Sequence, residues 1–323
     1  MTDTLAAYRG MSVLVTGGAG FIGSHLVRGL LAHGADVRVL DNFCNGSRAN
    51  LAEVASQIEI VEGDITHMND CRRAAAGRTI IFHLAALGSV PGSVDDPVHY
   101  NTVNIGGTLQ VLEAARQAGA KRVVYSASSA AYGDSPSLPK VESMPAAPKS
   151  PYAVGKFTGE LYARVYAGVY GLSTVSLRYF NVFGPRQNPR SQYAAVIPAF
   201  ISALLSGKPV SIYGDGGQTR DFCHVDNVVR ANLLAGSCQT PLAGETANVA
   251  CGQNISLNAM LARMEQQLGR QAQKQYLPPR AGDVRDSLAD IAAAKQLFGY
   301  EPVKYFDQGL KETIQWYAQQ PAA

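Results

Sequence analysis

A short apolar run, Val13-Leu-Val15, leads straight into three glycines, Gly17, Gly20 and Gly23, and an apolar helical pattern opens at Phe21 and Ile22. A buried strand, a glycine turn and a helix in that order leave few folds open. The glycines allow a tight turn and let backbone come close to a pyrophosphate. The helix N-terminus then offers N–H groups and a positive dipole end to the phosphates. The spacing is G-x-x-G-x-x-G and not G-x-G-x-x-G. The weight therefore rests on context: a strand before, a helix after, and an acidic residue ending the next strand.

That acidic residue is Asp41, followed by Asn42. A carboxylate there accepts two hydrogen bonds from an adenosine ribose and repels a 2′-phosphate, so NAD is favoured over NADP. The nearest downstream arginine is Arg48. The alternative is a solvated loop aspartate.

The chain has 323 residues, 46% apolar and 16% charged, with net charge +3. This suits a compact enzyme with a substantial core. No basic run points to nucleic acid. The five cysteines, Cys44, Cys71, Cys223, Cys238 and Cys251, show no paired spacing, which reads as reduced thiols. With no secretory signal and no long apolar run, the expectation is a cytoplasmic protein without a membrane partner. No metal-ligand spacing is present.

Strand candidates at 13–15, 37–40, 58–61, 80–84, 122–126 and 174–177 alternate with helical patterns at 21–33, 97–118 and 151–170. Alternation at this spacing predicts a parallel sheet covered on both faces. Beyond Asn181, Pro and Gly punctuate shorter elements. The expected division is a dinucleotide-binding domain over 1–180 and a substrate domain over 181–323, with returns to the first near 225–250.

Ser150-Pro-Tyr-Ala-Val-Gly-Lys156 is the second strong signal. Pro151 suits a first helical turn, which places Tyr152 and Lys156 four apart on one face. An ammonium near a phenol stabilises the phenolate, so Tyr152 is a candidate base. The fifth strand ends in Tyr125-Ser-Ala-Ser-Ser-Ala-Ala-Tyr132, and open α/β sheets bind ligands at the C-terminal ends of their strands. Ser128 is the first candidate to bridge a reacting hydroxyl to Tyr152, and Ser129 the second. The alternative is that these serines merely end a strand.

Together Thr16-Gly-Gly-Ala-Gly-Phe-Ile-Gly-Ser-His-Leu26, Val39-Leu-Asp-Asn-Phe43, the serine strand end and Ser150-Pro-Tyr-x-x-x-Lys156 resemble the extended short-chain dehydrogenase/reductase superfamily over essentially the whole chain. The fold this implies is α/β: a Rossmann-type doubly wound parallel sheet with a smaller α/β C-terminal substrate-binding domain. Leu177-Arg-Tyr-Phe-Asn-Val-Phe-Gly-Pro185, the stretch from Tyr213 to Asp226, and Arg280-Ala-Gly-Asp-Val-Arg-Asp-Ser287 are similar to nucleotide-sugar 4-epimerases of the UDP-galactose 4-epimerase group. His83-Leu-Ala-Ala-Leu-Gly-Ser-Val-Pro91 is similar to the subgroup acting on UDP-N-acetylhexosamines.

The resemblance implies further roles. Asp64 and Ile65 flank adenine, Ala85 and Ala86 lie against the cofactor, Asn104 lines its nicotinamide side, and Lys156 also holds the nicotinamide ribose. Asn181, Arg220 and Arg280 bind the UDP pyrophosphate, where guanidinium forks suit phosphate oxygens. Asp283 holds the uridine ribose, Ala195 and Val196 contact uracil, and Tyr213 packs near it. Gly88, Ser89, Val90 and Ser287 face the sugar. An Arg220–Asp221 surface ion pair is the competing reading of Arg220. His83 and His224 read as structural. Helices over 104–118 and 152–170 resemble those that pair two subunits in this family, so a homodimer is expected, with Leu109, Leu112, Leu161 and Tyr162 as candidates for the outer faces or the core.

Related dehydratases carry an Asp-Glu pair after the catalytic hydroxyl residue, and decarboxylases a Glu in that turn. Here Ser129-Ala-Ala131 follows Ser128. The reading that remains is C4 oxidation of a UDP-hexose and return of the hydride. Ser287 stands where a bulky tyrosine limits other epimerases, and Gly88 where some carry lysine, which favours UDP-GlcNAc and UDP-GalNAc. A broad UDP-Glc/UDP-GlcNAc epimerase remains open. So does a UDP-glucuronate or UDP-GlcNAcA 4-epimerase using Arg186, Arg190 or Arg285, and, further off, a decarboxylase or a non-catalytic NAD-binding protein.

Overall fold

The computed structural model describes residues 4–188, 195–278 and 284–320. The six expected strands form as β1 (Ser12–Thr16), β2 (Asp36–Asp41), β3 (Ile58–Glu62), β4 (Ile80–His83), β5 (Arg122–Ser128) and β6 (Ser173–Tyr179). Between them lie α1 (Phe21–Ala32), α2 (Met68–Ala75), α3 (Val90–Asp95), α4 (Pro97–Asn101), α5 (Thr108–Gln117) and α6 (Pro151–Tyr170). The second half holds β7 (Val182–Phe183), α7 (Val196–Ser206), β8 (Val210–Tyr213), β9 (Thr219–Arg220), β10 (Cys223–His224) and α8 (Val225–Ser237). It continues with β11 (Ala243–Val249), β12 (Ile255–Ser256), α9 (Leu257–Leu268), β13 (Lys274–Leu277), α10 (Ala292–Phe298) and α11 (Phe306–Ala318).

The main sheet has seven strands in the order β11-β6-β5-β4-β1-β2-β3, and every pairing is parallel. From β1 the chain winds one way to β3 and then back across to β4, so the order reverses between β1 and β4. In such sheets ligands bind at that reversal, beyond the carboxyl ends of the strands. β4 and β5 are buried along their whole length, as expected where helices cover both faces. The chain is thus an α/β protein with a Rossmann-like sheet.

Two segments from beyond residue 181 rejoin this sheet. β11 extends it at β6, and α8 packs on α1, where a Cβ on Gly29 would meet Val229 at 2.8 Å. Arg122, at the start of β5, is buried and donates to the carbonyls of Ala235, Gly236, Cys238 and Thr240. A cation there satisfies carbonyls that a helix end leaves open and complements its negative dipole end. The remaining elements build a smaller lobe around Phe183, Phe200, Ile212, Phe222, Leu261, Phe306 and Leu310.

Two local features depart from the sequence reading. The helix expected over 97–118 is α4, a π-helical stretch at Thr102–Gly107, and α5. The wider turn presents Asn104 and Thr108 together toward β4, and such irregular turns recur at functional sites. The second departure is α3, which the apolar pattern did not announce. Ser89 caps it by accepting the Gly92 N–H at 3.0 Å, with a proline in the first turn. Leu112 is buried in the core on the α2 side of the sheet, so it lies on no outer face, and Leu109 and Tyr162 pack partly against the same core.

Candidate active site

The glycine turn leaves β1 at Gly17, whose φ is +71° and where a Cβ would lie 2.7 Å from the Ala85 nitrogen. A Cβ on Gly23 would meet the Gly17 carbonyl at 2.1 Å. Neither position admits a side chain, so α1 begins directly over the ends of β1 and β4. Gly20 is the N-cap, and no side chain caps the helix. The N–H groups of its first turn at Phe21, Ile22 and Gly23 therefore point into the cleft, as an anion cradle requires.

Asp41 ends β2 and is buried. One carboxylate oxygen accepts the Ala19 N–H at 2.9 Å and the other the Phe43 N–H at 2.8 Å. Each oxygen keeps a lone pair for a ribose hydroxyl. Burial pushes its pKa up, and the two N–H bonds oppose the shift. Asn42 donates to Asp64 at 2.7 Å, and Asp64 accepts both Thr66 donors, at 2.8 and 2.7 Å. Burial alone would raise the Asp64 pKa, but these bonds outweigh it and hold it low. Ile65 is buried, and a Cβ on Gly107 would strike it at 2.6 Å. These residues fit a dinucleotide: a side-chain-free turn under an uncapped helix, with a carboxylate at the neighbouring strand end.

Beyond β4 the chain is held by a hydrogen-bond relay. Thr108 Oγ1 donates to the Asn104 carbonyl at 2.7 Å, so it accepts from His83 Nε2 at 2.9 Å. His83 Nδ1 is then free to accept from Thr16 Oγ1 at 2.8 Å, and Thr16 accepts the Ala85 N–H at 3.2 Å. Every proton in this chain has one consistent place. Burial and the nearby Lys156 charge hold His83 neutral, with its pKa lowered to about 3. Asn104 clamps the next step, donating to the Leu87 carbonyl at 3.0 Å and accepting the Leu87 N–H at 2.8 Å. The Asn104 side chain thus fixes the loop that carries Ala85, Ala86 and Gly88. A Cβ on Gly88 would meet nothing within 4 Å, and Val90 is exposed. Thr16 and Thr108 were given no role from sequence, although Thr16 directly precedes the glycine turn.

α6 opens with Ser150 accepting the Ala153 N–H at 3.2 Å and Pro151 in its first turn. Tyr152 is half-buried, and the Ser128 hydroxyl is near enough to act on its phenol. Ser129 instead begins the 3-10 turn after β5. Burial raises the Tyr152 phenol above its ordinary value, and the Ser128 hydroxyl opposes this. Lys156 is buried, donates to the Ser126 carbonyl at 2.7 Å and lies 5.2 Å from the centre of the Tyr125 ring. Burial lowers its pKa to about 8, opposed by the Glu160 charge.

On the smaller-lobe side, Asn181 has φ +35° and donates to the Asp221 carbonyl at 3.2 Å and to Ser287 Oγ at 3.4 Å. Arg220 donates to the carbonyls of Thr219 and Arg285, at 2.9 and 3.0 Å. The Arg220–Asp221 ion pair does not form. Asp221 is fully buried and accepts the backbone N–H groups of Cys251, Gly252 and Ala289. Burial raises its pKa to about 6 against those bonds. It ties the segment that follows Ser287 to the turn after β11, a role with no signal in the sequence. Tyr213 ends β8, and Ala195 and Val196 start α7. Arg190, Arg280 and Asp283 lie outside the described residues. His224, Asp226 and Glu312 converge, but the Lys304 ammonium bonds both carboxylates and cancels one of their two charges.

Residues 13–250 match the NAD dependent epimerase/dehydratase family. A UDP-glucose 4-epimerase of Mycolicibacterium smegmatis is 40% identical over 311 residues, covering 95% of this chain and 98% of that one. A UDP-glucuronate 4-epimerase of Thermodesulfobacterium geofontis is 35% identical, covering 94% and 95%. The solved UDP-N-acetylglucosamine 4-epimerase from Methanobrevibacter ruminantium, in complex with UDP-N-acetylmuramic acid, superposes with TM-score 0.91 at 40% identity, covering 96% and 98%. The chain belongs to the NAD dependent epimerase/dehydratase family. It is an enzyme, and NAD is its cofactor.

Asp41→Asn keeps one acceptor oxygen but turns an NH2 toward a backbone N–H and removes the charge. It is expected to weaken NAD binding roughly 10- to 100-fold in calorimetry. An unchanged Kd would remove Asp41 from the cofactor site.

Proposed function

We propose that this enzyme is a 4-epimerase of UDP-hexoses, with UDP-GlcNAc and UDP-GalNAc its preferred pair. The observations that carry this are the small side chain at Ser287 and the open side of Gly88. A small hydroxyl side chain beside Asn181 and an open glycine leave room for a C2 acetamido group. The relatives acting on UDP-glucose, UDP-glucuronate and UDP-N-acetylglucosamine support the reaction type. Against a uronate substrate, Arg186 is paired with Glu53 at 3.2 Å and Arg285 with Asp215 at 3.1 Å.

Gly17, Gly20, Gly23 and Asp41 would hold NAD, which supplies the two-electron acceptor that takes hydrogen from C4 and returns it. Tyr152 removes the C4 hydroxyl proton, with Ser128 completing the hydrogen-bonded path to its oxygen. Loss of solvent makes the Tyr152 phenol resist ionising, so the phenolate needs a positive neighbour. The Lys156 ammonium, fixed on the Ser126 carbonyl, supplies one. Asn181 and Arg220 anchor the diphosphate. A firm hold there, with few contacts to the sugar, lets the 4-keto sugar turn over before Tyr152 gives the proton back. No second acid stands at 129–131, so nothing in that turn eliminates water from C6 or drives loss of carbon dioxide.

A second copy of the chain is the proposed partner. Val154, Leu161, Val165 and Val169 are exposed along one side of α6, beside exposed Val94 and Val98 on α3 and α4. Together they make an apolar surface of the kind that marks an interface. No helix among the described residues is long and apolar enough to cross a membrane.

Four outcomes check this reading. Incubated separately with UDP-GlcNAc, UDP-Glc, UDP-GlcA and UDP-GlcNAcA and followed by proton NMR, the protein is expected to convert UDP-GlcNAc fastest. Tyr152→Phe should lose about 10²- to 10⁴-fold in turnover while still binding UDP. Fastest conversion of a uronate would overturn the substrate, and an active Tyr152→Phe would overturn the base. Ser287→Tyr is expected to lower turnover of UDP-GlcNAc on the order of 100-fold while sparing UDP-Glc. Equal loss on both sugars would reject Ser287 as the acetamido gate. Leu161→Glu/Val165→Glu is expected to halve the mass seen by light scattering, and a wild-type protein that already runs as a monomer would contradict the dimer.

A further inference from the structure

Lys156 is not the only charge buried in α6. One turn along, Glu160 is 2% exposed, and it is bound by Arg178 of β6, itself 3% exposed. The pair is bidentate: Arg178 Nε to one carboxylate oxygen at 2.9 Å and Nη2 to the other at 2.7 Å. The guanidinium lies 4.5 Å from the centre of the Tyr132 ring, and its Nη1 has no hydrogen-bond partner. Gly159 makes this packing possible, since a Cβ there would meet the Tyr125 hydroxyl at 2.2 Å. α6 therefore lies close on β5 with Lys156 and Glu160 both turned into the sheet.

Residues four apart on a helix usually pair when their charges are opposite. Here they do not. Lys156 donates to the Ser126 carbonyl, and both Glu160 oxygens are taken by Arg178. We propose that Glu160 is a positioning residue for Lys156: a carboxylate that Arg178 holds back from contact, so that it stabilises the ammonium without drawing it away from Tyr152. This rests on the role given above to Lys156. A free carboxylate would close on the ammonium and pull it down the helix, away from the reacting oxygen. A neutral side chain would leave a desolvated cation with no counter-charge, and such cations give up their protons.

The other groups around Lys156 cannot replace Glu160. On β4, His83 is neutral. On β5, burial keeps Tyr125 a neutral phenol. On α6 itself, Tyr152 is neutral until it takes part in the reaction. Tyr100 of α4 faces Tyr152 and is also a phenol. On α5, Glu113 and Arg116 pair with each other beside Tyr166, two turns further on. Glu160 is the one negative charge acting on Lys156 among the described residues. Burial pulls the Lys156 pKa down and the Glu160 charge pulls it up. The ammonium is thus kept below its folded pKa and lost as pH rises through it. Removing Glu160 moves that loss to lower pH.

The test is a lysine titration. In 13C-lysine-labelled protein, purified with its cofactor and without sugar, the Lys156 ε-carbon resonance is identified by its absence in Lys156→Met. Glu160→Gln alone strands a buried guanidinium and risks unfolding. The working variant is therefore Glu160→Leu/Arg178→Met, which removes both charges and keeps the volume. Lys156 is expected to titrate roughly one to two pH units lower in it than in the wild type. The alkaline limb of kcat should shift by the same amount, with KM for the sugar nucleotide unchanged. The swapped pair, Glu160→Arg/Arg178→Glu, keeps a salt bridge but reverses the charge nearest Lys156, and should lower the titration further. An unmoved titration in a folded double variant overturns the proposal. So does wild-type behaviour of the swap, and so does failure of both variants to fold, which would make the pair a structural brace. The titration needs no turnover, so it reads Glu160 even if the sugar panel goes against the 4-epimerase reading.

Discussion

The structure depends on one close approach of backbone to backbone. β1 and β4 lie side by side, and Gly17 turns off β1 with no room for a Cβ against Ala85. Any side chain there would push the two strand ends apart and lift α1 away from them. With glycine in place, the uncapped start of α1 lies over the gap, and Asp41 closes it from β2. The contact is then fixed from below. Thr16 and His83 end those two strands, and their hydrogen bonds reach up to the Ala85 N–H and across to Thr108. The glycine turn and the loop from Ala85 to Gly88 are thus parts of one hydrogen-bonded unit.

The same part of the sheet holds several charged or titratable groups in buried positions. Histidine 83 is held neutral, the Lys156 ammonium is kept, and Arg178 is tied to Glu160. A buried cation is costly without a partner. The ammonium rests on the Ser126 carbonyl, and its counter-charge, Glu160, sits one helical turn away and is held by Arg178. Chemistry at C4 needs the phenol to lose and regain a proton within one turnover. A site that fixes its charges before the substrate enters does not have to rearrange during the reaction.

Much of this was legible in the amino-acid order, because it is local. The strand–glycine–helix turn, Asp41 at a strand end and the Tyr152–Lys156 spacing each follow from residues close in sequence. The six strands appeared where the apolar runs lie. What escaped notice was long-range. Asp221 reads as a surface charge beside Arg220 until the fold brings Cys251, Gly252 and Ala289 to it. Leu112 has helical spacing that fits an outer face or the core equally well, and only the sheet beneath decides for the core. The π-helical turn at 102–107 is set by the fit of Asn104 to Leu87 and Thr108 to His83 rather than by propensity. Ser128 closes β5 while Ser129 opens the 3-10 turn after it, a boundary that the run of serines does not mark.

The central claim is that this site oxidises C4 and returns the same hydrogen to the other face. A UDP-N-acetylhexosamine carrying deuterium at C4, converted in ordinary water and followed by mass spectrometry and NMR, tests it directly. The account predicts an epimerised product that keeps its deuterium at C4, with no label in solvent or in added free cofactor. Loss of the label to either would contradict a hydrogen held and returned within one closed site.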